Sequence, residues 1–409
     1  TCRDFGKNYL TSVDENGIIF TNGDNDTFPL WYAQETEGYR TDVRVCNLSY
    51  LQTDWYVNQM KSQAYESDPL PISMEELQYG NKKREYAYIL DRVDYPVSVK
   101  MAMDYFLSDD ERTKTIPGYG KINHLPTGEL FIDIDKEKIL KSGIVPKGYE
   151  NKIVDRIDLS FKDKNTLILN DLAIIDLLST NAETGWKRPV YFATTVDPSF
   201  FTETDKYFMR TGMAYEVVPV KLENTPGRYQ VNTDKMYDNV MNKFVWGGID
   251  VNPDIYLDET IRRMCYSYRI MFIDLIDQLI QEGKTDKALK ALDYCMEKIP
   301  GDVVPHNYIS LQLAMDYYFL KQNEKGKALL EKIADSAIEY VTWINSLDNN
   351  KKRSVQRDYY YNERALAEQV IPMFYRFGDE ESGKKYLEKA ALAGVDINRY
   401  FKIDTSKTN

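Results

Sequence analysis

Residues 17–48 read "GIIFTNGDNDTFPLWYAQETEGYRTDVRVCNL", and the order of patterns within them decides the fold class. "GIIFT" (17–21) is a short β-branched apolar run suited to a buried strand. "TFPLWYAQETEG" (27–38) reads as a helix that stops at Gly38, a residue free to take the left-handed C-cap conformation. "DVRVCNL" (42–48) is a second strand, and "LQTDWYVNQMK" (51–61) a second helix. Two strands bridged by a helix of this length pair in parallel as a βαβ unit.

The same grammar continues outward from that unit. "NDLAIIDLLSTNAE" (170–183) predicts an amphipathic helix capped by Asn170 or Asp171. "RPVYFATTV" (188–196) predicts a strand with Pro189 at its start, where a missing N–H is tolerated. "YEVVPVKL" (215–222) carries Pro219 and is expected at a sheet edge. Between them, roughly 66–165 is rich in Pro, Gly, Tyr and charge, with a strand expected in "ELFIDID" (129–135) and a helix in "YPVSVKMAMDYFLSDD" (95–110). Residues 1–228 therefore read as a Rossmann-like α/β domain, its sheet mostly parallel, with a large insertion around 66–165.

Strands vanish from about 232 onward, and residues 229–409 read as an all-α array. Ala288, Leu292, Cys295 and Ile299 share one helical face, and Gly283, Ala288, Cys295 and Pro300 match the spacing of the latter half of a tetratricopeptide repeat. Weaker echoes place Asn323 and Ala328, then Gly378, Gly383 and Ala390, in corresponding slots, which predicts degenerate repeats with insertions.

Composition excludes several function classes. With 52 basic and 64 acidic residues the net charge is −12, which repels a polyphosphate backbone, so nucleic acid is not an expected partner. The most apolar segment, "LILNDLAIIDLL" (167–178), is too short and too polar to span a bilayer. No signal-peptide pattern opens the sequence, and "TCRDFGKNYL" (1–10) reads as a helix interior, as expected of a piece of a longer protein. Cys2, Cys46, Cys265 and Cys295 form no CxxC, and two histidines, His124 and His306, leave no zinc-type spacing. Cys265 and Cys295 lie on neighbouring predicted helices, and buried free thiols are the expectation for them. Neither a Gly-x-Gly-x-x-Gly nor a Walker loop follows the first strand, and no Gly-x-Ser-x-Gly elbow occurs.

The stretch "TNGDNDTFP" supports two readings. Open parallel sheets gather ligands beyond the carboxyl ends of their strands, where Asn22, Asp24, Asn25 and Asp26 follow the first strand and Asn47, Asp54 and Trp55 follow the second. Convergence of Asp24, Asp26 and Asp54 would suit a divalent cation, or sugar hydroxyls with Trp55 stacked on the ring. Equally, Asp and Asn bond nearby backbone N–H groups at turns and N-caps, which explains much of the motif without a ligand.

Beyond periodicity, "FTNGDNDTFPLWYAQETEGYRTDVRVCNLSYLQTDWYVNQM" (20–60) resembles the region just after the last membrane span in a family of large bacterial envelope proteins. These have an N-terminal multi-pass region similar to protein O-mannosyltransferases, and the family was long catalogued as of unknown function. "RDFGKNYLTS" (3–12) and "WKRPVYFATT" (186–195) look like the same family, adding Trp186 and Arg188 to the candidate ligand-binding residues. A eukaryotic secretory-pathway O-mannosyltransferase with C-terminal tetratricopeptide-like repeats shares the plan. The resemblance implies the extracytoplasmic part of a membrane-embedded glycosyltransferase that uses a lipid-linked sugar, on the periplasmic side of the bacterial inner membrane. The implied partners are the protein's own N-terminal membrane region and an acceptor polypeptide or glycan. The implied catalytic residue lies in that membrane region, so no catalytic residue and no resident cofactor is assigned here. Two alternatives stand beside this reading: a stand-alone carbohydrate-binding or carbohydrate-active protein using Asp24, Asp26 and Asp54, and a non-catalytic interaction scaffold.

Overall fold

The computed structural model describes residues 2–118, 120–355 and 357–395, which fall into two compact units divided between Gly247 and Gly248. The first is mixed α/β around a six-stranded, mostly parallel sheet, and the second is all-helical.

In the first unit, helix α1 (Cys2–Thr11) leads into strand β1 (Ile18–Thr21), helix α2 (Asp24–Glu37) and strand β2 (Arg44–Asn47). Helix α3 (Asp54–Met60) and, after the insertion, helix α4 (Leu169–Glu183) precede strands β3 (Val190–Ala193), β4 (Phe208–Arg210), β5 (Ala214–Val217) and β6 (Gln230–Val231). The sheet order is β6-β4-β5-β3-β1-β2, with β1 parallel to both β2 and β3. β3 and β4 each pair antiparallel to β5, so β5 alone runs against the others. Every residue of β1, β2 and β3 is buried, as expected for strands covered on both faces. Phe20, Phe192 and Phe208 line up across the sheet at centroid distances of 5.0 and 5.2 Å. α1 crosses α2 where Gly6 meets Pro29; a Cβ on Gly6 would stand 2.3 Å from the Pro29 carbonyl oxygen.

Three expectations change. α2 starts at Asp24, not at residue 27, because Asp26 folds back to accept the Gly23 N–H at 2.8 Å and so closes the first turn early. The strand containing Tyr215 is internal, not at an edge; Pro219 lies beyond its last paired residue, Val217, and removes no ladder bond. α4 is buried nearly all round instead of amphipathic, since the helix Val99–Leu107 and the strand Glu129–Asp133 of the insertion cover its outer side. Its Asp176 is buried there, accepting the Ser73 N–H at 2.6 Å and the Ser73 hydroxyl at 2.5 Å. The insertion itself holds two small three-stranded sheets, one centred on Tyr86–Ile89 and the other on Glu129–Asp133. The first unit runs on to Gly247 because Asn8 clasps Val245, donating to its carbonyl at 2.8 Å and accepting its N–H at 2.9 Å.

The second unit stacks three hairpins: α5 (Glu259–Gln281) with α6 (Thr285–Lys298), α7 (Tyr308–Phe319) with α8 (Asn323–Ser346), and α9 (Arg357–Arg376) with α10 (Glu380–Leu392). The turn of each carries one left-handed residue, Gly283, Lys321 or Gly378, at φ 72°, 60° and 82°. Five residues on stands a small residue, Ala288, Gly326 or Gly383. The corresponding slots of the middle hairpin are thus Lys321 and Gly326, not Asn323 and Ala328; a lysine in the left-handed position hides the turn. Arg269, fully buried on α5, ties down the connection after α6 by donating to the carbonyls of Ile299, Val304 and Pro305 at 3.2, 2.5 and 2.8 Å. Cys46, Cys265 and Cys295 are buried free thiols, and Cys2 is an exposed one.

Candidate functional site

At the carboxyl end of the sheet the polar residues of "TNGDNDTFP" mostly bond to one another. Asp26, 3% exposed, accepts the Gly23 N–H, the Asn22 N–H at 3.3 Å and the Thr195 hydroxyl at 2.8 Å. Burial raises its carboxyl above the usual range, and those three donors pull it back down. Asn47, also buried, donates to Thr27 Oγ1 at 2.9 Å and the Asn22 carbonyl at 3.3 Å, and accepts the Tyr50 N–H at 3.0 Å. Tyr9 of α1 sets its hydroxyl 3.1 Å from Thr195 Oγ1, so the point between β1 and β3, where strand order switches, is packed with protein side chains. Burial pushes the Tyr9 phenol up.

The other candidates lie apart. Asp24 and Asn25 are exposed in the first turn of α2, where Asp24 complements the positive end of the helix. Asp54 opens α3 and accepts the Asn81 N–H at 3.1 Å. Trp186 and Arg188 belong to the opposite, amino end of the strands: Trp186 is buried at φ 56°, and Arg188 donates to the carbonyls of Asn16, Asp68 and Pro69 at 3.0, 2.7 and 2.9 Å. Burial, with the neighbouring charge of Arg44, lowers Arg188 to about 10. Among the described residues, no three His, Cys, Asp or Glu side chains gather closely enough to hold a metal ion.

Of the nine candidates, Trp55 lines an open groove. A groove of about 680 Å³ runs between α2 and α3 over the edge strand β2, within the size range of small-molecule sites. Trp31 and Glu35 come from α2, Tyr50 and Trp55 from the turn and helix after β2, and the 62–67 loop closes the far side. Trp31 and Tyr50 are stacked, with centroids 6.2 Å apart and planes 11° apart, and Trp55 lies 6.1 Å from Tyr50. Trp55 is 55% exposed and Tyr50 37%; Phe28, 5.7 Å from Trp31, extends the aromatic surface beyond the groove. The Tyr65 hydroxyl donates to Glu35 across the rim. Arg44 lies on the floor, 4% exposed, donating to the carbonyls of Ser62, Ser67 and Asp68 at 2.8, 3.0 and 3.1 Å. Such a groove offers flat apolar faces flanked by amide and carboxylate groups, which suits a ring with one apolar face and hydroxyls at its edge.

The sequence reading missed Trp31, Tyr50 and Arg44. Phe28, Trp31 and Tyr32 stand at i, i+3 and i+4, a spacing that normally marks a core-facing stripe. Here Phe28 and Tyr32 are 45% and 52% exposed, so the stripe faces outward.

Comparison with known proteins gives one match. No curated protein and no solved structure matches the chain. No helix of the described residues is long and apolar enough to cross a membrane. A family profile covers residues 2–235, the whole α/β core with its insertion and the groove, and by it the chain belongs to the family described as TMEM260-associated domain 2.

Proposed function

We propose that this chain is the extracytoplasmic accessory part of a membrane-embedded glycosyltransferase using a lipid-linked sugar, and that it recognises and positions the acceptor. The groove between α2 and α3 contacts a saccharide, and the stacked hairpins of the helical unit contact polypeptide. Catalysis belongs to the membrane region on this reading, and no residue of this chain is given a catalytic role. The observation that carries the proposal is the cluster of solvent-open aromatic faces, Trp31, Tyr50 and Trp55, around a cavity large enough for a sugar ring. The family assignment supports it, because the domain is described by association with a membrane protein.

Tryptophan emission of the purified chain, titrated with a panel of neutral mono- and disaccharides including mannose-terminated ones, tests the proposal. Saturable quenching is expected for at least one sugar. Trp55→Ala, a change at an exposed position, should weaken that binding about tenfold or more, a loss of about 1.4 kcal/mol, with melting unchanged. Failure of every saccharide to bind, or equal binding by the Trp55→Ala protein, would sink the idea.

A further inference from the structure

The helical unit contains a cavity of about 660 Å³ at the end where its hairpins turn. Its wall is built from the last turns of three helices: Asp277 and Gln281 of α5, Asp316 and Phe319 of α7, and Arg376 with Phe377 at the end of α9. Each helix C-terminus carries roughly half a negative charge, which favours cations. Asn323, opening α8, supplies the single helix N-terminus.

Asp316 is the unusual member. Its side chain is 3% exposed; Oδ1 accepts from Gln312 Nε2 at 2.8 Å, whereas Oδ2 is buried and accepts no hydrogen bond. A buried carboxylate oxygen with no donor is costly, and a bound cation relieves that cost. Arg376 does not serve: its guanidinium lies over the Phe377 ring, 5.9 Å from the centroid. The remaining walls are apolar, formed by Ile280, Met315 and three aromatic rings. Tyr318 and Phe377 stack face to face at 3.9 Å, and Phe319 stands 65% exposed at the mouth.

We propose that this cavity binds the cationic end of a polypeptide side chain, an arginine or lysine, with its charge on Asp316 and its stem between the aromatic walls. Charge complementarity selects the occupant, because the lining brings together three helix C-termini and the undonated Oδ2 of Asp316. A bare metal ion fits poorly, since no third carboxylate, histidine or cysteine among the described residues joins Asp277 and Asp316 to hold one. Aromatic faces beside a carboxylate are instead the surroundings in which organic cations gain most. This inference concerns a different unit from the saccharide groove and stands or falls independently of it.

Calorimetry of the full chain with N-acetyl-arginine methylamide tests the site, with the citrulline analogue as a neutral isostere. The arginine probe should bind, and the citrulline probe should bind at least about tenfold more weakly. Asp316→Asn keeps the Gln312 contact and the side-chain size, and should lose a similar factor while its circular dichroism stays that of the wild type. Phe319→Ala, at an exposed position, should weaken binding several-fold and decides the matter if the Asp316 variant unfolds. The proposal is overturned by absence of arginine binding, by equal affinity for the two probes, by unchanged affinity in whichever variant is folded, or by stabilisation with calcium ions but not with the arginine probe.

Discussion

Asp26 and Asp316 are both 3% exposed, yet their surroundings differ. Asp26 is held by three donors at the start of α2 and works as a cap joining β1, α2 and β3. Asp316 has one amide, and burial together with the charge of Asp277 pushes its carboxyl up to about 7. The groups around it are Asp277 on α5, Cys295 on α6 and, across the cavity, Arg376 on α9. Its folded-state value lies above the unfolded 3.8, so between pH 4 and 7 the unfolded chain releases a proton that the folded chain keeps. Stability falls as pH rises through that window and levels off above it. Other buried carboxylates, Asp176 and Glu216 among them, are also raised and slope the same way, so Asp316 must be isolated by difference. The stability of Asp316→Asn relative to wild type should therefore climb by a few kcal/mol, in order of magnitude, from pH 4 to pH 8. Urea unfolding of both proteins across that range measures it, and a flat difference would show that Asp316 ionises like an exposed carboxylate.

At the scale of elements, the three hairpins pack through a repeated contact. Gly326 and Gly383 sit under Tyr318 and Tyr375, each eight residues earlier, and a Cβ there would lie 2.7 and 2.5 Å from the ring carbons. The first hairpin has Ile280 and Ala288 at the same offset, so a smaller partner leaves room for a methyl group. Gly326→Ala and Gly383→Ala should each cost about 1–3 kcal/mol by overpacking, despite the better helix propensity of alanine. Denaturant midpoints read this directly, and a stabilised Gly326→Ala would mean that the tyrosine swings aside freely. How much of this was legible in the sequence depended on whether one position carried the signal. The βαβ start was readable because "GIIFT" and "DVRVCNL" are contiguous apolar runs and Gly38 does take the left-handed cap, at φ 60°. The middle hairpin was not, because Lys321 fills a slot where glycine is the expected mark. α4 was misjudged because periodicity does not reveal that an insertion distant in sequence covers its second face. The candidate site suffered most. Its acidic residues stood out by type but are largely capping groups, whereas the aromatic faces of the groove resembled core residues until their exposure was known.

At the scale of the molecule, loops are held by buried arginines donating mainly to carbonyls. Arg44 and Arg188 gather the 67–69 loop, Arg84 binds the carbonyls of Gln78, Phe106 and Ser108, and Arg269 holds the connection after α6. Each lies within one compact unit, so loop order is maintained unit by unit. The segment between the units is different in kind. Gly247 and Gly248 both have positive φ, at 61° and 83°, and Val251 and Tyr256 are 78% and 86% exposed with no regular element between Gly248 and Asp258. Exposed irregular backbone of this sort is where proteases enter first. It contains no lysine or arginine, so chymotrypsin, not trypsin, is the appropriate probe, with Tyr256 as its site. Brief chymotrypsin treatment should give two fragments that meet at Tyr256, each melting cooperatively because each keeps its own core. The competing site is Tyr65, 58% exposed in the loop that leads into the insertion and followed by Glu66; the more exposed Tyr95 precedes Pro96 and is not cleaved. A first cut there would mean that this loop opens before the segment between the units, and would count against two independently stable units.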